Sequence, residues 1–298
     1  MQARPEPLTR RLREIGGRWQ QDIRLAGDET KALYLPLLAG APQDGVEIHR
    51  DQAYGEEPRQ VLDVYRPAGA HRAPVVVFVH GGAFVRGAKD INAHMYGNVL
   101  TWFARQGYVG VNVEYRLAPQ APYPGGAVDV ALACRWLARH VHAFGGDPAK
   151  VCLIGHSAGG THVATWLCDP FAELPPAEVN CAVLVSARLQ ADALPMNPNA
   201  AGVMAYFGAD PAQYEHRSPM THVARIGVPV LVVNAEFENP LLDIYGHAFA
   251  QALGRARGVA PVHIDVPDHN HVSIMAHFNT AEQWLGEQIL AFFERACH

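Results

Sequence analysis

A serine with a glycine two positions to either side, Gly155-His156-Ser157-Ala158-Gly159, directly follows the apolar run Val151-Cys152-Leu153-Ile154. This is the pattern of a nucleophile elbow, in which a strand turns sharply into a helix and presents the serine hydroxyl at the rim of a sheet. The turn is strained and neighbouring chain passes close, so glycine is needed on both sides. Residues 158–167 read as a helix, which places the Ala158 N–H at a helix N-terminus, where open donors and the dipole favour an anion. Upstream, Val75-Val76-Val77-Phe78-Val79 runs into His80-Gly81-Gly82-Ala83-Phe84, a loop with unobstructed backbone amides. The N–H groups of Gly82, Ala83 and Ala158 are the expected donors to a tetrahedral oxyanion, each worth about 3–4 kcal/mol in the transition state.

Serine is a poor nucleophile near neutral pH, so a neutral imidazole must take its proton and a carboxylate must orient that imidazole. Both follow the serine in the order that suits an elbow, acid and then histidine. After the apolar run 230–233 comes Asn234-Ala235-Glu236-Phe237-Glu238-Asn239-Pro240, and after the apparent strand 262–266 comes Pro267-Asp268-His269-Asn270-His271-Val272-Ser273. His271 is the expected base, standing last in the loop before Ile274-Met275, with His269 as the alternative. Glu238 is the expected acid, with Glu236 and Asp243 as alternatives. The His-x-His pair has no cysteine or carboxylate at a recognised ligand spacing, so no metal and no cofactor are expected.

Leu62-Asp63-Val64-Tyr65-Arg66-Pro67 and Glu114-Tyr115-Arg116-Leu117-Ala118-Pro119, with Tyr123-Pro124, extend these motifs. From about residue 46 to the C-terminus the chain resembles serine esterases of the α/β-hydrolase superfamily, on the branch of carboxylesterases, hormone-sensitive-lipase-like esterases and kynurenine formamidases. The resemblance implies an α/β fold: a mostly parallel central sheet, helices on both faces and a small cap. It implies triad roles for Ser157, His271 and the acid, with Glu238 aligned on the usual aspartate. Two departures stand out. Glutamate replaces aspartate, and Ala83 stands where many members have a third glycine, as the formamidases also lack one. The expected reaction is carboxylic ester hydrolysis through an acyl-enzyme on Ser157. Amide or N-formyl amide hydrolysis by the same residues is the alternative. A non-catalytic ligand-binding relative is a third reading, against which the retained serine and histidines count.

The elements that must position these residues alternate along the chain. Strand-length apolar runs fall at 61–65, 75–79, 108–113, 151–154, 182–185, 230–233 and 262–266, mostly separated by segments of helical length, which implies a largely parallel sheet covered on both faces. Val130, Cys134, Leu137 and Val141 recur at helical spacing. A final helix is expected to open on Thr280-Ala281-Glu282-Gln283 as a capping box and to bury Leu285, Ile289 and Phe292. Two regions break the alternation. Residues 1–45 carry Leu12, Ile15 and Trp19 at core-like spacing, then Pro36, Pro42 and Gly45 as breakers; residues 187–227 are rich in Pro, Asn and Ala. By resemblance these are a cap-like segment and a cap insertion on a single domain spanning 1–298, a surface loop being the alternative for the second. Trp102, Phe84, Tyr206, Phe207 and Met204 are the side chains considered for a pocket lining.

The 298 residues are 49% hydrophobic and 18% charged, enough for a sizeable core. A net charge of −5 and a pI near 6.3 disfavour nucleic acid and a basic membrane-binding face. The polar, arginine-bearing N-terminal stretch has no apolar secretory core, and no run approaches a membrane span. Five cysteines, Cys134, Cys152, Cys168, Cys181 and Cys297, are an odd number at irregular spacing, read as reduced thiols of a cytoplasmic protein, with Cys297 exposed. The expected partners are a small-molecule ester or amide and, by resemblance, a second copy in a homodimer.

Overall fold

The computed structural model describes residues 4–168 and 178–297. Its centre is an eight-stranded sheet in the order β1-β2-β4-β3-β5-β6-β7-β8, with β1 Val46–Ala53, β2 Val61–Pro67, β3 Ala73–Val79, β4 Val109–Val113, β5 Gly146–His156, β6 Cys181–Val185, β7 Val230–Phe237 and β8 Val262–Asn270. The β1–β2 and β2–β4 pairs are antiparallel and all others parallel. Around it run α1 Glu6–Gly16, α2 Ile23–Ala39, α3 Gly97–Arg105, α4 Gly125–His140, α5 Ala158–Cys168, α6 Ala200–Phe207, α7 Tyr214–Arg217, α8 Leu242–Arg257, α9 Ser273–Ala276 and α10 Trp284–Ala296.

β3, β6, the start of β7 and the run 151–154 in β5 read as unbroken apolar runs because inner parallel strands are buried on both faces, whereas the edge strand β8 alternates apolar with polar residues. In β3, successive side chains divide between two cores with the period of two that a strand imposes. Val75, Val77 and Val79 join α4, α5 and α8, whereas Val76 and Phe78 join α3 and α10. Register then lines up the strand ends that matter. Val79 pairs with Gly155 and Val185 with His156, so the loops after β3, β5 and β6 emerge side by side at the carboxyl edge, where parallel sheets hold ligands.

Five expectations need correction. β1 is an eighth strand absent from the sequence reading: an edge strand, it is nowhere fully buried and lacks the apolar run that marks the others. For the region 187–227 it is the surface-loop alternative that falls, since the segment folds into α6, α7 and flanking 3₁₀ turns. Pro36 does not break the N-terminal helix; it sits in the last turn of α2, where its carbonyl accepts from Gly40 N. The capping box does not form, because α10 starts only at Trp284 and Glu282 turns instead to Arg4 and His269. Cys297 is half-buried against the α3/α10 core. Among the described residues, no helix is long and apolar enough to cross a membrane.

Candidate active site

Ser157 sits between β5 and α5 with φ of 55°, in the left-handed region. The adjoining glycines are obligatory on steric grounds. A Cβ on Gly159 would stand 2.2 Å from the carbonyl oxygen of Val79, and one on Gly155 would stand 2.6 Å from the Cα of Gly160. The hydroxyl faces an imidazole: His271 Nε2 lies 3.0 Å from Ser157 Oγ. On the other side of the ring, His271 Nδ1 lies 2.7 Å from Glu238 Oε2.

Strand register brings the last two together. β7 and β8 pair with an irregularity after Ala235, so that Phe237 lies opposite Asn270 and His271 N donates to Phe237 O at 3.2 Å. Glu238 and His271 are therefore neighbours across two strand ends. Glu238 is 3% exposed, and its longer arm folds back so that Oε1 accepts from Ala235 N at 3.0 Å. Burial alone would raise its pKa, but the charge and hydrogen bond of His271, with Ser186 and the Ala235 N–H, hold it below the ordinary glutamate value. An ionised carboxylate only accepts, so Nδ1 of His271 donates to it. Nε2 is then left as the acceptor for the serine proton.

The alternatives lie elsewhere. Glu236 is exposed and accepts from Asp268 N at 2.6 Å, and Asp243 is exposed on the first turn of α8. His269 faces Ser273 Oγ at 2.9 Å and Glu282 Oε1 at 3.0 Å rather than Ser157. Gly82, Ala83, Ser157 and His271 share one cavity of about 560 Å³, and Ala158 opens α5 beside it. Gly82 has φ of 148° and Ala83 of 50°. A Cβ on Gly202 of α6 would lie 2.3 Å from Ala83 O, so α6 presses directly on this loop.

Two contributions are invisible in the motifs. His156, inside the elbow, is fully buried, and its Nε2 donates to the carbonyl of His271 at 2.9 Å. Its Nδ1 must then accept, and Tyr96 Oη donates to it at 3.1 Å. The second contribution is the N-terminal segment, which builds a wall of the cavity with Trp19, Ile23, Arg24, Gly27, Asp28 and Lys31. Trp19, 1% exposed, donates from Nε1 to Asn239 Oδ1 at 3.0 Å, next to Glu238. Thr30 Oγ1 accepts from Asn270 Nδ2 at 2.9 Å, next to His271. The aromatic candidates take no part in the lining. Trp102 packs on Phe103 and Phe278, while Phe84, Tyr206 and Phe207 pack on one another and Met204 is exposed. Only a distant side-chain bond such as Trp19–Asn239 marks the true lining, and no local sequence signal encodes it.

Known proteins resemble this chain over part or nearly all of its length. The BD-FAE family pattern matches residues 62–168. Esterase LipC of Mycobacterium tuberculosis is 38% identical over 128 residues, which is 42% of this chain and 31% of that protein. The chain thus spans about a third of the length of that curated relative. Among solved structures, an inhibited esterase B from Lactobacillus rhamnosis superposes with a TM-score of 0.76 at 21% identity, over 96% of both chains. A hyperthermophilic esterase from the archaeon Pyrobaculum calidifontis gives 0.71 at 24% identity, over 98% of this chain and 99% of that one. The fold of this chain is the α/β-hydrolase fold.

Proposed function

We propose that this chain is a serine carboxylic ester hydrolase, one α/β-hydrolase domain over residues 1–298 in which 1–45 and 187–227 act as the cap. The observation that carries the reading is the unbroken line of hydrogen bonds Glu238–His271–Ser157 at the floor of the cavity, 2.7 Å and 3.0 Å long. His271 Nε2 takes the hydroxyl proton as Ser157 Oγ attacks the ester carbonyl carbon. Glu238 holds the ring tautomer and stabilises the imidazolium. The N–H groups of Gly82, Ala83 and Ala158 meet the oxyanion, the imidazolium protonates the leaving alkoxide, and water repeats the sequence on the acyl-enzyme. No metal or cofactor takes part in this sequence.

The cavity volume suits a small ester and is typical of small-molecule sites. The odd number and irregular spacing of the five cysteines support a reducing, cytoplasmic setting. Ala83 in place of glycine favours the second reading, hydrolysis of an amide or N-formyl amide by the same residues. Turnover of p-nitrophenyl acetate and of N-formylkynurenine is the deciding measurement. Ester turnover together with stoichiometric fluorophosphonate labelling of Ser157 supports the first reading, and preference for the formyl amide supports the second. A chain that is folded but neither labelled nor active is a binding protein, and both readings fall.

A further inference from the structure

Far along β8 from the serine, the edge strand carries His263 and Asp265 two residues apart, hence on one face of the sheet. Helix α8 lies against that face unusually closely. A Cβ on Gly246 would stand 2.4 Å from Asn234 Oδ1, and the next residue, His247, is thereby brought over the strand pair. His247 Nε2 comes within 3.3 Å of Asp265 Oδ2, and His263 Nε2 within 3.6 Å of Asp265 Oδ1. The two imidazole rings stand perpendicular with centroids 4.1 Å apart.

We propose that His247, His263 and Asp265 form a binding site for one divalent transition-metal ion, of the zinc class, that staples α8 to the edge strand β8. Bonds of about 2.1 Å in a tetrahedron give donor separations of about 3.4 Å, and each imidazole Nε2 stands near that distance from its own oxygen of Asp265, so the carboxylate meets the ion through both oxygens or through one after a small rotation. The third edge is open, all three ligand atoms lying within 4.8 Å of one another. The side chain of His247 is about half exposed and free to turn inward. Asn234 Nδ2 donates one hydrogen to His263 Nε2, at 3.0 Å, and the other to Asp265 Oδ1, at 3.3 Å, so both atoms already turn a lone pair toward one shared point, the arrangement a cation would take over. Two imidazoles and one carboxylate suit zinc, nickel or copper rather than calcium or magnesium, which prefer all-oxygen sites. The exposed fourth position is left to water. This site is separate from the His269-x-His271 loop, whose rings turn to Ser273, Glu282, Glu238 and Ser157.

The test is calorimetric titration of the EDTA-stripped full chain with Zn²⁺, alongside His247→Ala, His263→Ala and the control His142→Ala. The expected result is one equivalent bound, with affinity reduced about tenfold or more in each site variant and unchanged in the control. The melting temperature should rise with Zn²⁺ in the wild type and not in the site variants, while all four proteins melt alike in EDTA. Absence of binding at millimolar Zn²⁺, or binding that survives both site substitutions, overturns the proposal. If a variant melts early in EDTA, Co²⁺ added to the wild type decides: a tetrahedral visible spectrum supports the site and an octahedral one overturns it.

Discussion

Beneath Ser157 the cavity is held by backbone against backbone, whereas its N-terminal wall is held by side chain against side chain. In the floor, Gly155 and Gly159 admit no Cβ, and the main chain of β3 runs within touching distance of the elbow. The wall is attached through Trp19 to Asn239, Thr30 to Asn270, Arg13 to Asp268 and Arg4 to Glu282. The first three reach residues within three positions of Glu238 or His271, and the fourth reaches Glu282, whose carboxylate faces His269. The difference teaches that Ser157 is positioned by its own segment, while Glu238 and His271 are steadied by a part of the chain more than two hundred residues away.

Substitutions that sharpen this contrast can be ranked by effect. The largest is Ser157→Ala, which should lower kcat for ester hydrolysis by about 10⁶-fold with the melting temperature retained. Residual turnover near the wild-type rate would remove the floor from the chemistry. Glu238→Gln should cost about 10⁴-fold in kcat by upsetting the His271 tautomer, against less than about twofold for the exposed Glu236→Gln. Equal losses in the two variants would mean that the acid lies elsewhere.

Stability separates floor from wall next. Gly159→Ala should destabilise by about 3 kcal/mol or more, since its Cβ meets main-chain carbonyl oxygens that cannot yield. Gly27→Ala in α2 should instead be neutral or stabilise by up to about 1 kcal/mol, because its Cβ meets nothing nearer than 3.7 Å and alanine favours a helix. Urea melts of both variants decide, and a costly Gly27→Ala would erase the distinction. Trp19→Phe removes the indole donor to Asn239 and should lower stability by about 1 kcal/mol, with a several-fold fall in kcat. Unchanged kinetics there would show that the wall covers the cavity without steadying Glu238.

Acid should loosen both regions. His162 beneath the floor and His277 at the seam with the wall are pushed down to about 3 by burial, and His156 and His269 are lowered for the same reason. The unfolded chain takes up protons on these four rings below about pH 6.5, where the folded chain does not. Their contribution is therefore complete above that value and is lost as pH falls. Glu282 adds to the same trend at lower pH: burial opposes its ionisation, but His269 and Arg4 hold its pKa well below 4.5. Melting temperature should fall between about pH 7 and pH 5. A flat profile would mean that the buried rings protonate without cost.

The legible part of the molecule followed from local constraints. The inner strands declare themselves because two-sided burial favours apolar runs, β8 by alternation of apolar and polar residues, and the elbow because only glycine tolerates its close approaches. β1 stayed hidden because an edge strand needs only a short apolar face, here Val46 and Ile48, and the failed capping box shows a local motif losing to a tertiary ion pair, that of Glu282 with Arg4. Along the chain itself, then, the inner sheet, the turn at Ser157 and the glycine loop after β3 were determined by the residues next to them. Which carboxylate meets His271, what walls the cavity and how His156 braces the loop of His271 were decided only in three dimensions. Those choices rest on the register of β7 against β8 and on side chains meeting across the fold, and neither has a periodic signature in the polymer.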